Sequence, residues 1–427
     1  MAPVAGRGNL AIRELGPADD LGALLDLSRR AFGPIRAADA RRWHADAELT
    51  IRDHRYLAAF DGRRLVAAAR YFDMVQWWHG RSLPMAGVAS VMVAPEDRGR
   101  GAGRALMTAL LGLIAVRGYP VSVLYPATMA IYRSLGWEMA GGQDMAVIPA
   151  RSLRSLVPAD PWLGDLAPDD AGPRLRRCGA QDAGQVLDVI SGVHQVLRDS
   201  GPNTRDEAAL QRWLGDEDLY AYLAPDGFLA YRWRNGNDEI LVERALATSA
   251  GTSRELWAVV ASHSSMAVTV RGYLGAADPL CWLIREPDLA LARRHTWMLR
   301  VVDAAAAVAG RGFPPGAAVT ARLRLADPRC PGNDGVWTLE VGGGKGLLTR
   351  EAPAVTAVAD AAAAVTAASP PGPGAPLTLG ARGFAALYAG TAAATLRRAG
   401  LAAGGDPGAD AALDGAFAAD SFMLDYF

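Results

Sequence analysis

The chain has 427 residues and a formal net charge of −1, so no general basicity marks it for nucleic acid. Hydrophobic residues make up 51 % and charged residues 21 %, ordinary globular composition that excludes an extended disordered chain. At ~150 residues per domain the length implies roughly three domains. Lys345 is the only lysine and sits in Gly-Gly-Gly-Lys-Gly, so Schiff-base chemistry has a single, turn-borne candidate. Cys178, Cys281 and Cys330 are too far apart for a metal cluster and odd in number, which points to a reducing cytoplasm. No His-Glu-x-x-His or Cys-x-x-Cys spacing occurs, so no metal is expected. Met1–Leu10 lacks the apolar run of a secretory signal, and Ala352–Ala368, alanine-rich and interrupted by Asp360, is too weakly apolar for a membrane span.

In chain order, the first third alternates helix and strand signals. Asp20–Ala31 has helical apolar spacing. Tyr56–Phe60 reads as a strand, Asp61-Gly62 as a hairpin turn, and Leu65–Trp78 as the returning strand. Val88–Val93 is a further strand, and Ala102–Val116 a helix with Leu106, Leu110, Leu113 and Ile114 on one face. Val121–Leu124 reads as a strand and Thr128–Leu135 as a short helix closed at Gly136. A segment dense in proline and aspartate, Pro158–Pro173, follows and reads as a domain boundary.

The second third repeats the order. It has a strand at Leu175–Cys178, a helix at Ala183–Leu197, and a hairpin of Asp218–Leu223 with Phe228–Trp233. A strand at Ile240–Ala247, a helix at Ser253–Ala261 and a strand at Met266–Val270 complete it. The shared order predicts a duplicated domain. Gly310–Gly316 is a second Gly/Pro break. Beyond it the pattern predicts strands at Val319–Leu325 and Val336–Val341, then helices at Ala352–Ala364 and Phe384–Arg398.

The residues that carry chemistry lie where the Val91-Met92-Val93 strand runs into Arg98-Gly99-Arg100-Gly101-Ala102-Gly103-Arg104 and a helix opens. Helix N-termini present unpaired N–H groups and the positive end of the dipole, and glycines let a pyrophosphate approach the backbone. The absence of Gly-Lys-Ser/Thr excludes a Walker loop, and the glycine spacing is not that of a dinucleotide fold. Tyr132 follows in a short helix, a phenol with the right ordinary pKa (~10) for a general acid at neutral pH. The last nine residues, Ala419–Phe427, are aromatic and apolar, poor composition for a loose tail. Burial there would bring the Phe427 α-carboxylate inside, in need of a cationic partner such as an amine. Trp77 and Trp78 end a strand and suit either a pocket wall or the core. His44 and His54 read as surface or capping residues.

Arg98-x-x-Gly101-x-Gly103 after a strand resembles the cofactor motif of the Gcn5-related N-acetyltransferases. The resemblance implies acetyl-CoA, with pyrophosphate on the amides of Gly99 to Arg104 and pantetheine along Val91, Met92 and Val93. A strand amide there would also meet the thioester oxyanion. It implies that Tyr132 protonates the departing thiolate. Ala127 and Thr128 stand where family members often place a serine beside the pantetheine.

Over its whole length the chain resembles the Eis family of aminoglycoside N-acetyltransferases. The resemblance rests on the Arg98 loop, Ile131-Tyr132 with Gly136-Trp137, the duplicated domain, Asp327-Pro328 with Asn333-Asp334-Gly335, and the final phenylalanine. It implies an α+β chain with a catalytic domain over 1–150 and a second acetyltransferase-like domain over 151–300; there Ala247–Arg254, with one glycine and one late arginine, replaces the loop, so this degenerate copy is expected to bind no CoA. A sterol-carrier-like domain over 311–427 would supply the Phe427 carboxylate as base or amine anchor. It also implies a homo-oligomer, often a hexamer, acting on a small-molecule amine with no nucleic acid or membrane partner. Tyr426, in place of the acidic residue some members carry before the final phenylalanine, weakens the case for a polycationic aminoglycoside. A biosynthetic amino compound or a protein lysine is the alternative acceptor. A non-catalytic lipid or partner carrier is the alternative class.

Overall fold

The computed structural model describes residues 10–157, 175–275, 278–286, 288–352, 372 and 374–427. The first third forms β1 (Leu10–Glu14), α1 (Leu21–Phe32), α2 (Ala37–Arg52), β2 (Tyr56–Asp61), β3 (Arg64–Trp78) and β4 (Arg81–Val93). It continues with α3 (Ala102–Val116), β5 (Val121–Leu124), α4 (Met129–Arg133) and β6 (Glu138–Pro149). Asp20 caps α1 by accepting from the amides of Gly22 and Ala23. The apolar face of α3 is buried throughout: Leu106, Leu110, Leu113 and Ile114 are each at most 3 % exposed. Burial of that kind contributes ~1.5–3 kcal/mol per side chain.

The second third forms β7 (Arg176–Cys178), α5 (Ala183–Leu197), β8 (Asn203–Thr204), α6 (Glu207–Leu214), β9 (Tyr220–Ala224) and β10 (Gly227–Arg234). Then come β11 (Glu239–Ala247), α7 (Ala250–Ala261), β12 (Thr269–Leu274), α8 (Leu280–Leu283) and β13 (Ala290–Val301). The last third comprises α9 (Ala304–Gly310), β14 (Val319–Ala326), β15 (Gly335–Gly342), β16 (Lys345–Arg350), β17 (Leu377–Gly380), α10 (Ala381–Tyr388), α11 (Ala393–Arg398), β18 (Ala402–Gly404) and α12 (Asp410–Phe417).

The first two thirds share one sheet, in the order β1-β2-β3-β4-β5-β13-β6-β12-β11-β10-β9-β7, with β8 also on β3. The two halves exchange their last strands. β13 inserts between β5 and β6, pairing Met298–Val301 with Val121–Leu124. β6 in turn pairs its far half, Asp144–Pro149, with β12. The final third makes a separate five-stranded sheet, β16-β15-β14-β17-β18. One hydrophobic cluster joins it to the large sheet, from Leu323, Leu339 and Phe384 through Trp78 to Met74 and Trp297.

Several expectations change. β4 begins at Arg81, not Val88. Its Pro84 disguises the strand, and is tolerated because β5 pairing starts only at Met85. The helix expected at Phe384–Arg398 is two helices, broken at Gly390, whose φ of 99° ends the first. The strand expected at Met266–Val270 runs from Thr269 to Leu274. Trp78 is fully buried between Trp297 and Tyr388 in the core, and the Trp77 indole donates to Thr204 Oγ1 (3.4 Å). Neither tryptophan needs a pocket to explain it.

The Gly310–Gly316 break is a turn packed inside the protein. Arg311 is fully buried, donates to the carbonyls of Tyr388 and Phe417, and lies over four rings, Trp78, Phe313, Tyr388 and Phe417. Pro158–Pro173 and most of the helix expected at Ala352–Ala364 lie outside the described residues. The three cysteines are free, and among the described residues no helix is long and apolar enough to cross a membrane.

Candidate functional site

The cleft starts with a bulge in β4. Ser90 and Val91 together stand opposite Ala69 of β3, and Ser90 takes a φ of 51°. β4 and β5 pair in parallel only from Met85↔Val121 to Val88↔Leu124. Beyond that the strands part, and residues 89–93 of β4, with Val91, Met92 and Val93, have no strand partner on the β5 side among the described residues. Such an edge presents unmatched N–H and C=O groups to an extended ligand.

The chain leaves this edge through a turn of sequence-local construction. Gly99 (φ 79°) and Gly101 (φ 87°) both occupy the left-handed region that only glycine adopts cheaply. A Cβ at Gly103 would come 3.1 Å from Val93 Cγ2, so strand and helix meet closely there. Gly101 is the N-cap of α3 and provides no side-chain hydrogen bond, which leaves the first amides of the helix, at Ala102, Gly103 and Arg104, open. Buried Asp97 braces the turn through Arg64 and Arg100 (3.4 Å), and the Arg64 guanidinium holds its carboxyl below the usual range. Arg98, Arg100 and Arg104 are exposed around the turn; Arg98 makes one long contact, 3.5 Å, to the Ala31 carbonyl. Open amides, glycine geometry and three exposed cations fit a pyrophosphate. These residues could therefore hold a CoA-type cosubstrate.

Across the cleft, exposed Ala127 and Thr128 lead into α4. Tyr132 on that helix is 6 % exposed and packs edge-on against Trp137 (6.5 Å). Burial pushes its phenol up to about 12, with the Tyr426 phenol adding to the shift. Among the described residues none hydrogen-bonds its hydroxyl. α4 is held in place by Glu138, which accepts from Arg133 (2.8 Å) beside Tyr132 and from Arg382 (2.7 Å) of the third domain.

The C-terminal segment is docked. The Met423 amide donates to Gly142 O (3.0 Å), Gln143 Nε2 donates to Leu424 O (2.8 Å), and the Asp425 carboxylate pairs with buried Arg244 of the second domain. Tyr426 is 61 % exposed and its ring lies tilted against Tyr125 (4.6 Å). The Phe427 ring lies edge-on to Tyr125 (5.5 Å) and against Gly87, where a Cβ would come within 2.9 Å of it. Gly87 belongs to the last paired stretch of β4 before the strands part. The Phe427 ring thus sits on β4 just before its unpaired stretch, and the Tyr426 phenol acts on Tyr132 of α4. His54 is exposed beside Glu14 (3.1 Å), His44 sits edge-on to Trp43 (5.2 Å), and Lys345 is exposed at the start of β16.

Sequence reasoning missed Tyr125, Gly87 and Arg244. Tyr125-Pro126 directly follows a strand and could have been suspected. The other two acquire their place only through contacts with the tail.

The second half repeats the geometry with one difference. β11 pairs with β12 only over Glu239–Val242; from there to Ala247 it keeps β10 but has no strand partner on the β12 side among the described residues. Here the helix that follows is capped: Ser249 accepts from the Thr252 amide, and the Asp226 carboxylate accepts from the Thr248 and Thr252 hydroxyls. A carboxylate stands where the first half leaves amides open.

Three families match successive parts of the chain. The acetyltransferase (GNAT) domain family matches residues 11–140, a second acetyltransferase (GNAT) domain family matches 201–301, and the sterol carrier protein domain family matches 304–423. A solved GCN5-related N-acetyltransferase from Kribbella flavida is 40 % identical, with a TM-score of 0.86 over 98 % of both chains. The N-acetyltransferase Eis of Mycobacterium tuberculosis is 28 % identical over 63 % of this chain and 67 % of its own. Eis1 from Mycobacterium abscessus, 23 % identical, shares the fold with a TM-score of 0.71 over 98 % of this chain and all of its own.

Proposed function

Because the chain belongs to the GCN5-related N-acetyltransferase family, as an Eis-like acetyltransferase, we propose that it moves the acetyl group of acetyl-CoA directly to the amine of a small molecule. The observation that carries the proposal is the unpartnered β4 edge running into the uncapped α3 N-terminus. Val91, Met92 and Val93 would pair with the pantetheine amides, a strand N–H would donate to the developing oxyanion of the thioester, and the Gly99–Arg104 turn would hold the pyrophosphate. Ala127 and Thr128 would flank the pantetheine at the mouth of α4.

The amine lone pair forms the N–C bond, the C–S bond breaks, Tyr132 donates its proton to sulfur, and the proton shed by the nitrogen as the amide forms returns to the Tyr132 phenolate through water. The Phe427 α-carboxylate is proposed to anchor the ammonium first. With an ordinary pKa of ~3.3–3.7 it is a weak base, so the proton leaves to water along that contact. The capped α7 and the Asp226 carboxylate support a second domain that binds no CoA and instead walls the cleft. The homo-hexamer implied by the family resemblance is part of the same reading.

A lipid carrier is less well supported, because Leu323, Leu339, Leu379, Phe384 and Phe417 already fill the buried face of the small sheet. The deciding experiment incubates the protein with acetyl-CoA and an amine panel and follows free thiol. Amine-dependent thiol release that is abolished by one residue added after Phe427, with folding intact, is the expected result. No release with any amine sinks the proposal, and full activity in the extended variant removes Phe427 from it. Light scattering on the purified protein tests the hexamer.

A further inference from the structure

The outer edge of β3 is shared by two strands that do not meet. β2 pairs with it up to Arg70, and β8 of the second half pairs with Val75 and Gln76. In the interval stands Phe72, partly buried, on the strand face that packs toward Met74 and Phe427. Two guanidiniums lie on its ring. Arg70 comes from the first half, with Cζ 4.7 Å from the ring centroid; Arg205, just after β8, comes from the second half at 4.6 Å.

Among the described residues neither cation has an ion-pair partner. Arg70 is 9 % exposed, and its Nε and Nη1 are buried with no hydrogen-bond partner. Asp46 and Asp425 act on Arg205 only through space, and Asp425 is committed to Arg244. Asn203 of β8, opposite Gln76 and 3 % exposed, also has both amide atoms buried and unpartnered. A buried guanidinium without a partner is costly, and two facing one ring repel each other. An oxyanion within reach of both would relieve both costs through N–H···O bonds.

We propose that Arg70 and Arg205, one from each transferase-like half, form an anion subsite in the acceptor cleft, so that the preferred acceptor is an amine that also carries a carboxylate. The inference rests on the N-acetyltransferase reading and narrows it. It works against a polycationic acceptor, which the same guanidiniums would repel.

The test compares ω-amino acids of three to six carbons with their carboxamides, using the full chain, acetyl-CoA and thiol release. Binding of glutarate, which has no amine, is measured separately by calorimetry. The expected result is a preference of at least tenfold in kcat/KM for the carboxylates. In Arg205→Gln that preference falls to within twofold, through KM and with kcat little changed, and glutarate binding is lost. Arg70→Gln gives the same pattern if it folds; Arg205 sits on a less buried segment and is the primary variant. Equal turnover of acids and amides overturns the inference while the acetyltransferase reading stands. A parallel loss on both acceptors in Arg205→Gln also overturns it, assigning the arginine to the fold or to the docked C-terminus. Glutarate binding that depends on Arg205 without turnover of any amine supports the subsite and sinks the acetyltransferase reading instead.

Discussion

Replacing Tyr132 by phenylalanine separates chemistry from binding. The ring is 6 % exposed and packed on Trp137, and its hydroxyl has no protein partner among the described residues. Phenylalanine therefore keeps the packing and strands no polar group, so the stability change stays below about 1 kcal/mol. The loss of a positioned general acid is worth ~10²- to 10⁴-fold, or about 3 to 5 kcal/mol of barrier. Burial raises the Tyr132 phenol to about 12. At pH 9 roughly one phenol in 1,000 is then ionised, against about one in ten at the ordinary value.

The sign is that of a group holding its proton more tightly when folded. Its stabilising contribution is complete below pH 10 and is lost as pH rises toward 12. Ionisation of Tyr132 thus disturbs neither folding nor proton donation between pH 7 and 9. Steady-state thiol release should show kcat reduced at least 100-fold in Tyr132→Phe, with the acetyl-CoA KM within threefold of wild type. The wild-type kcat should show no loss from tyrosine ionisation between pH 8 and 10. A kcat within threefold of wild type would refute the general-acid assignment.

Three further outcomes follow from the geometry. Gly101→Val places a β-branched residue at φ 87°, straining the α3 cap by ~1–2 kcal/mol, and should raise the acetyl-CoA KM at least tenfold. An unchanged KM would detach the turn from cosubstrate binding. Gly87→Val drives carbon to within 2.9 Å of the Phe427 ring and Met74 Sδ, an overpacking of ~1–3 kcal/mol. It should depress amine kcat/KM through displacement of Phe427, and full activity would contradict that ring's place beside the acceptor. Asp327→Ala removes the partner of Arg300 (2.6 Å), both side chains being at most 3 % exposed. It should lower stability by ~3–5 kcal/mol in denaturant titration, and a loss under about 1 kcal/mol would show that the pair does not hold β13 to the third domain.

Whatever the chain encodes over short distances is legible in its residue order. The Arg98–Arg104 turn is contiguous with the strand before it and the helix after it, and its Gly99 and Gly101 mark the positions that take positive φ. α3, β5 and α5 occur at Ala102–Val116, Val121–Leu124 and Ala183–Leu197, as their periodicity predicts, because each buries a regular apolar face. β4 reads short from its residues because Pro84 and Gly87 are poor strand formers taken alone. They are acceptable only because Pro84 lacks a β5 neighbour and Gly87 makes room for Phe427.

By itself, then, the sequence determined a duplicated α+β unit, a glycine- and arginine-rich turn that opens a helix, a tyrosine after it and a tail too apolar to hang loose. Only the tertiary structure decided that the two halves trade β6 and β13 into one sheet, that Tyr125 and Arg244 hold the tail, and that Arg70 and Arg205 face the same phenylalanine. Each of those facts pairs residues more than a hundred positions apart. No local periodicity records such a pairing; it is selected by the burial and hydrogen bonding of the whole chain at once.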